Sequence, residues 1–165
     1  MGVSQEEFRK ALGHFATGVT VITVARGSGL VHGMTANAFA SVSLQPPLVL
    51  VCVDHSAHTR PFLLEQKRFG VNVLRDDQAE LSRYYAEAEL KDEVAAELGV
   101  RYLYTDCGTP LLADSLARLE CAVVATYEAG DHTIFLAEVE QASVEEARPL
   151  LFYRGKYHRL GAPSG

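Results

Sequence analysis

Two long apolar runs constrain this chain more than any other feature: LARLECAVVATYEA (116–129) and HTIFLAEVEQASVE (132–145), joined at Ala129-Gly130-Asp131. Apolar and β-branched residues on either side of a Gly-Asp pair are the composition of a tight β-hairpin. The hairpin sets an antiparallel frame, and other runs supply strands to it. VTVITVA (19–25) is β-branched, FGVNVL (69–74) is strand-like, and PLLFYRGKY (149–157) reads as a last strand with a turn. LVLVCVD (48–54) is apolar on both parities, which predicts burial on both faces. After a turn at Gly27-Ser28-Gly29, GMTANAFASVS (33–43) continues the sheet as a hairpin partner. The total is about seven strands, mostly antiparallel because their connections are short.

Helices fall at the start and in the middle. Ser4 and Glu7 form a capping box, and Phe8, Leu12 and Phe15 recur on one face, so 4–16 reads as an amphipathic helix. AHTRPFLLEQKR (57–68) is helical with Pro61 near its start; Asp77 can cap QAELSRYYAEA (78–88); DEVAAEL (92–98) is a further short helix. Gly99 to Pro110 reads as irregular. This order favours a closed or partly closed β-barrel with peripheral helices over a βαβ repeat. No repeat or linker interrupts it, so residues 1–165 are expected to form a single domain.

Composition removes several functional classes. With 48% hydrophobic residues in 165, the chain can bury a real core. Its net charge of −6, with no basic run, argues against a nucleic-acid surface. The longest apolar stretch, Pro46 to Val53, is far short of a membrane span. MGVSQEEFRK has no basic segment followed by an apolar one, so no signal peptide is expected. Three cysteines without a CxxC pair suggest reduced thiols and a cytoplasmic setting. Cys52 and Cys121 lie in strand-like runs as small hydrophobes, whereas Cys107, in TDCGTP, takes no role from the sequence.

Among chemical motifs, GxSxG, HExxH, the Walker loop and GxGxxG are all absent. DHSAH offers Asp54, His55 and His58 as metal ligands, but no feature points to the rest of a site, and no metal is expected. The same segment can make an anion cradle from backbone N–H groups, the Ser56 and Thr59 hydroxyls, His58 and a following helix N-terminus. GMTANAFASVS alternates Met34, Ala36, Ala38, Ala40 and Val42 with Thr35, Asn37, Phe39, Ser41 and Ser43. Short side chains beside hydroxyl and amide groups suit a slot for a planar ligand with polar edges, such as an isoalloxazine. They equally suit a strand packed closely against another or at a dimer seam, and residue chemistry leaves both readings open.

FATGVTVIT, HGMTANAFASVSLQPPLVLVCVD, FGVNVL, LARLEC, AGDHTIFLAEVE and PLLFYRGKY occur in an order and spacing that resemble the short-chain flavin reductases. These are the reductase components of two-component flavin-dependent monooxygenases, and the likeness is strongest to the phenol and 4-hydroxyphenylacetate hydroxylase reductases. The resemblance implies a mainly β, FMN-binding split β-barrel of Greek-key type with peripheral helices. It implies a homodimer that binds FMN or FAD, takes hydride from NADH or NADPH, and supplies diffusible reduced flavin to a separate monooxygenase. Matched residue by residue, it places the flavin ring at Thr35, Ala36, Asn37 and Ala38, with Ser41 near the ribityl chain. Its phosphate loop falls on Ser56, Ala57, His58 and Thr59, and its nicotinamide-facing histidine on His132. By residue type alone His132 is a polar residue flanking a turn. The GKY block at Gly155–Tyr157 falls near the flavin cleft in this family. Between Glu87 and Gly108 the chain departs from the family pattern. A flavin-binding electron carrier without nicotinamide turnover is the alternative function, and a structural protein with an alanine-lined seam is a third.

Overall fold

A computed structural model describes residues 2–163. The chain opens with α1 (Gln5–Leu12), where Ser4 Oγ accepts from Glu7 N at 3.2 Å and Glu7 Oε2 accepts from Ser4 N at 3.0 Å, completing the expected capping box. The helix stops at Leu12 with Gly13 as its cap, short of the expected residue 16. None of its residues is buried, so the Phe8 and Leu12 stripe faces outward together with Phe15.

Next come β1 (Thr17–Gly18), β2 (Thr20–Ala25), β3 (Val31–Ala36), β4 (Phe39–Leu44) and β5 (Pro47–Asp54). GMTANAFASVS is therefore two strands, broken at Asn37-Ala38, rather than the continuous strand the alternation suggested. α2 (Thr59–Gln66) and β6 (Arg68–Val73) follow. Then come α3 (Ala79–Ala86) and α4 (Asp92–Glu97). Asp77 does not cap α3: its carboxylate takes the Arg75 guanidinium at 3.1 and 3.2 Å, while Gln78 Oε1 accepts from Arg75 N.

The stretch read as irregular contains a small hairpin, β7 (Tyr102–Tyr104) with β8 (Pro110–Leu112). Aromatic and apolar residues too few to show periodicity form it, and it is pinned from below: Asn72 Oδ1 accepts from Leu112 N at 2.7 Å. The long hairpin, β9 (Ala117–Ala129) and β10 (His132–Val144), turns at Gly130-Asp131 with Gly130 at φ 64°. β11 (Leu150–Tyr153) and β12 (Lys156–Arg159) complete the chain.

The result is mainly β. One seven-stranded antiparallel sheet has the order β3-β2-β6-β9-β10-β5-β4, beside a three-stranded sheet, β1-β11-β12, and the β7-β8 pair. Among the described residues no sheet is closed by hydrogen bonds. Its outer strands β3 and β4 are nevertheless joined by only Asn37 and Ala38. Seven strands laid flat would separate those edges by roughly 29 Å at about 4.8 Å per strand. From Ala36 to Phe39 the chain can reach only about 11 Å. The sheet must therefore curl until its edges approach each other at residues 36–39.

β2 is the hub, buried on both faces. Ile22 and Val24 join Val51, Val53, Phe69, Val71, Phe135 and Cys121 in one core, capped by Leu63 of α2. Val21 turns to a second core with Leu74, Tyr84, Tyr85, Leu112 and Leu150. Cys121 is fully buried with its thiol pushed up to about 12 by desolvation, consistent with its expected role as a small hydrophobe. β5 is less symmetric than its sequence suggested: Val49, Val51 and Val53 are buried, whereas Leu48, Leu50 and Cys52 are only half-covered.

Candidate functional site

The β3 edge, the loop after β5 and the end of α3 enclose a cavity of about 290 Å³. Thr35, Ser56, Ala57, His58 and Thr59 all line it, bringing two separated sequence blocks together. It shares His32, His58 and Ala88 with a larger cavity of about 810 Å³ that reaches Arg26, Tyr84, Tyr102 and Tyr104.

Each wall has a local cause. Gly33 is required on β3 because a Cβ there would meet the Tyr85 ring at 2.4 Å; without it, Tyr85 closes over the strand. The Tyr85 hydroxyl pairs with that of Tyr102 at 2.5 Å, and burial holds it protonated far above the usual phenol range. Thr35 Oγ1 donates to Ser82 O at 2.6 Å, tying β3 to α3. Ser82 Oγ and Tyr157 Oη lie 2.8 Å apart, and the Arg83 guanidinium sits 5.0 Å from the Tyr157 ring centroid, so the GKY block buttresses α3.

After β5 the chain turns on Asp54, whose Oδ1 accepts from Ser56 N at 2.7 Å and Ser56 Oγ at 2.6 Å. These bonds, the hydroxyl first, hold the Asp54 carboxyl below its ordinary range. Thr59 is buried at the start of α2. His58 Nδ1 lies 3.0 Å from Ala88 O, which fixes the imidazole between the two cavities.

Asp54, His55 and His58 do not converge. His55 Nε2 turns to Glu128 at 2.7 Å, and Asp54 instead groups with Asp131 and His132. His132 stands opposite Asp54 across the β5–β10 ladder, with Nδ1 2.7 Å from Asp131 Oδ1. That hydrogen bond is the main cause of the depressed Asp131 carboxyl. Ala36 is buried and its carbonyl accepts from Thr20 Oγ1 at 2.6 Å. Asn37, Ala38 and Ser41 are exposed around the seam between β3 and β4. Ala36, Asn37, Ala38, Ser41 and His132 stand outside the lining of the two cavities.

Sequence reasoning missed Arg26, His32, Tyr85 and residues 87–88. Arg26 lies over the Phe62 ring at 5.4 Å, and His32 packs against the same ring at 5.5 Å. Burial first, then Arg26 and His58, holds the His32 imidazole below its ordinary range. Arg26, His32 and His58 thus gather at one cavity, whose lining also includes Glu89 and Asp92. His32 lies within the HGMTANAFASVS block of the family resemblance, but nothing in its spacing marked it.

Comparison with known proteins gives this geometry a family. The Flavin reductase like domain matches residues 12–161. A Rhodococcus NADH-dependent flavin reductase is 42% identical over 96% of this chain and 88% of its own length. A Streptomyces globisporus NADH-dependent FAD reductase is 43% identical, covering 93% and 85%. Among solved structures, a flavin reductase in its native state superposes with a TM-score of 0.87 at 42% identity, covering 97% of this chain and 100% of that one. The Streptomyces globisporus NADH:FAD oxidoreductase in complex with NAD and FAD fragments gives 0.88 at 38% identity, covering 98% and 96%. This chain is a member of the flavin reductase like domain family.

Proposed function

We propose that the chain is an NAD(P)H:flavin oxidoreductase that reduces FMN or FAD and supplies the product to a partner monooxygenase. The observation that carries this reading is the convergence of Thr35 with Ser56, Ala57, His58 and Thr59 on one cavity, beside Arg26 and His32. Hydroxyls, imidazoles and a guanidinium suit a phosphate, and the low, exposed Asn37-Ala38 seam leaves space for a flat ring. The donor set therefore fits a flavin. When bound, the flavin supplies the acceptor for a hydride from the nicotinamide, a transfer that depends chiefly on proximity and orientation.

The protein's part is to bind and orient. Ser56, Thr59 and His58 hold the phosphate end; Thr35 to Ala38 set the ring edge; Ser41 meets the ribityl chain. His132, half-exposed and oriented by Asp131, faces the nicotinamide and positions it without serving as a base. The curled sheet with β3 and β4 meeting at residues 36–39 is read as a split barrel forming a single domain. The outward Phe8, Leu12 and Phe15 stripe is read as part of a homodimer seam. Relatives support the partner: one from Rhodococcus opacus is named as the reductase component of a 4-nitrophenol monooxygenase, and a similar solved structure is the flavin reductase component of a tryptophan halogenase.

The test is NADH oxidation by the purified chain with FMN or FAD, followed at the NADH absorbance band. Flavin-dependent NADH loss supports the reductase. Flavin binding without it supports an electron carrier, and no flavin affinity overturns both.

A further inference from the structure

At the turn between β7 and β8, three residues past Tyr104 of the larger cavity, the Cys107 thiol, a Glu120 carboxylate oxygen and a Glu140 carboxylate oxygen lie within 4.8 Å of one another. Three features of the fold build this cluster. Glu120 is 1% exposed on β9, and its Oε1 accepts from Thr105 Oγ1 and Thr109 Oγ1, each at 2.7 Å. Those bonds fold the turn between β7 and β8 down onto the sheet, with Cys107 at its exposed tip and Gly108 at φ 79°. Glu140 is the extra residue of a bulge in β10: Val139 pairs with Cys121 and Gln141 with Glu120, leaving Glu140 unpaired. Bulges redirect a side chain, and here the redirected carboxylate joins the group.

Glu120 supplies the independent observation. Its second oxygen, Oε2, is buried without a hydrogen-bond partner among the described residues. A buried carboxylate oxygen without a donor is a rare and unfavourable arrangement that a bound cation would relieve. Arg68 does not fill that position. Its Nη1 lies 2.5 Å from Glu140 Oε2 and 3.3 Å from Glu120 Oε1, and its Nη2 lies 3.1 Å from Glu140 Oε1. The guanidinium therefore bridges Glu140 and the Oε1 edge of Glu120 and leaves Oε2 without a donor among the described residues. With Cys107 as thiolate, the two carboxylates and Arg68 sum to a charge of two minus, which one divalent cation neutralises.

We propose that Cys107, Glu120 and Glu140 form a zinc site that clasps the 105–109 turn to strands β9 and β10. One thiolate with two carboxylates selects zinc over magnesium or calcium, which avoid sulfur. Binding forms metal–sulfur and metal–oxygen bonds and releases the Cys107 proton to solvent; solvent completes the coordination. Zinc ligands sit about 2.0–2.3 Å from the metal, hence roughly 3.5 Å apart. Closing from within 4.8 Å to that spacing requires the exposed Cys107 and Glu140 side chains to move. Glu140 is eight residues along β10 from His132, on the order of 25 Å away. None of the three ligands lines either cavity, so the zinc site does not use the groups read for the flavin.

Cobalt(II) titration of the chelator-treated chain tests it, since cobalt bound to a thiolate gives a near-ultraviolet charge-transfer band that zinc erases. The expected result is one cobalt per chain, loss of the band in Cys107→Ser, and at least tenfold weaker zinc binding in Cys107→Ser and Glu140→Gln. Both residues are exposed, so the variants should retain the wild-type circular dichroism. Zinc should also raise the melting temperature of the parent chain and not of Cys107→Ser. Absence of the band, or a band that survives Cys107→Ser, overturns the site.

Discussion

At Gly33 a missing Cβ decides how a helix packs on a strand. The Tyr85 ring occupies the space a side chain would fill, with ring carbons 2.4 and 2.5 Å from the Cβ position. Gly33→Ala should destabilise the chain by about 1–3 kcal/mol, the range for overpacking a core, in chemical denaturation. His32 next to it titrates. Because its folded pKa is depressed, its neutral form contributes stability that is complete above the unfolded value of about 6.5 and is lost as pH falls through the folded pKa. The melting temperature should drop on acidification, and His32→Gln should make that slope shallower; an identical slope would remove His32 as a contributor. For His132, alanine should raise the Michaelis constant for the nicotinamide several-fold with little change in flavin affinity. Unchanged steady-state kinetics would take His132 out of the site.

Among elements, the long hairpin was legible because alternation over many residues and a Gly-Asp turn agree with each other. The β7-β8 hairpin was not, because its strands of three residues are too short for a period. It depends on distant partners, Asn72 and Glu120, that no local reading connects. The break at Asn37-Ala38 was hidden for a different reason: alternation continues through it in composition while the chain crosses from one sheet edge to the other. Asp77 had the right type for a cap, but Arg75 two residues away competed for its carboxylate. α1 shows the opposite case: its cap and apolar stripe are both readable, and the stripe stays exposed. Phe8 and Phe15 are 57% and 72% exposed, so replacing both by Asp should leave the fold intact and lower the sedimentation mass from dimer to monomer. A monomeric parent chain would refute that seam.

For the whole molecule, the candidate site depends on curvature. Thr35 and the 56–59 loop are brought together because β3 and β5 approach when the seven-stranded sheet curls. The sequence marked both blocks through the family resemblance, and Ser56, Thr59 and His58 also through their chemistry as an anion cradle. It did not mark Arg26 and His32, because a basic cluster assembled across strands has no linear spacing. The same curvature leaves Asn37 and Ala38 exposed at the seam between β3 and β4. A crystal structure with bound FMN tests the central claim most directly. The account predicts the phosphate among Ser56, His58 and Thr59 and the ring against Thr35 to Ala38, with one face open toward His132. Density for the flavin elsewhere, or side chains closing that seam in every subunit, would contradict it.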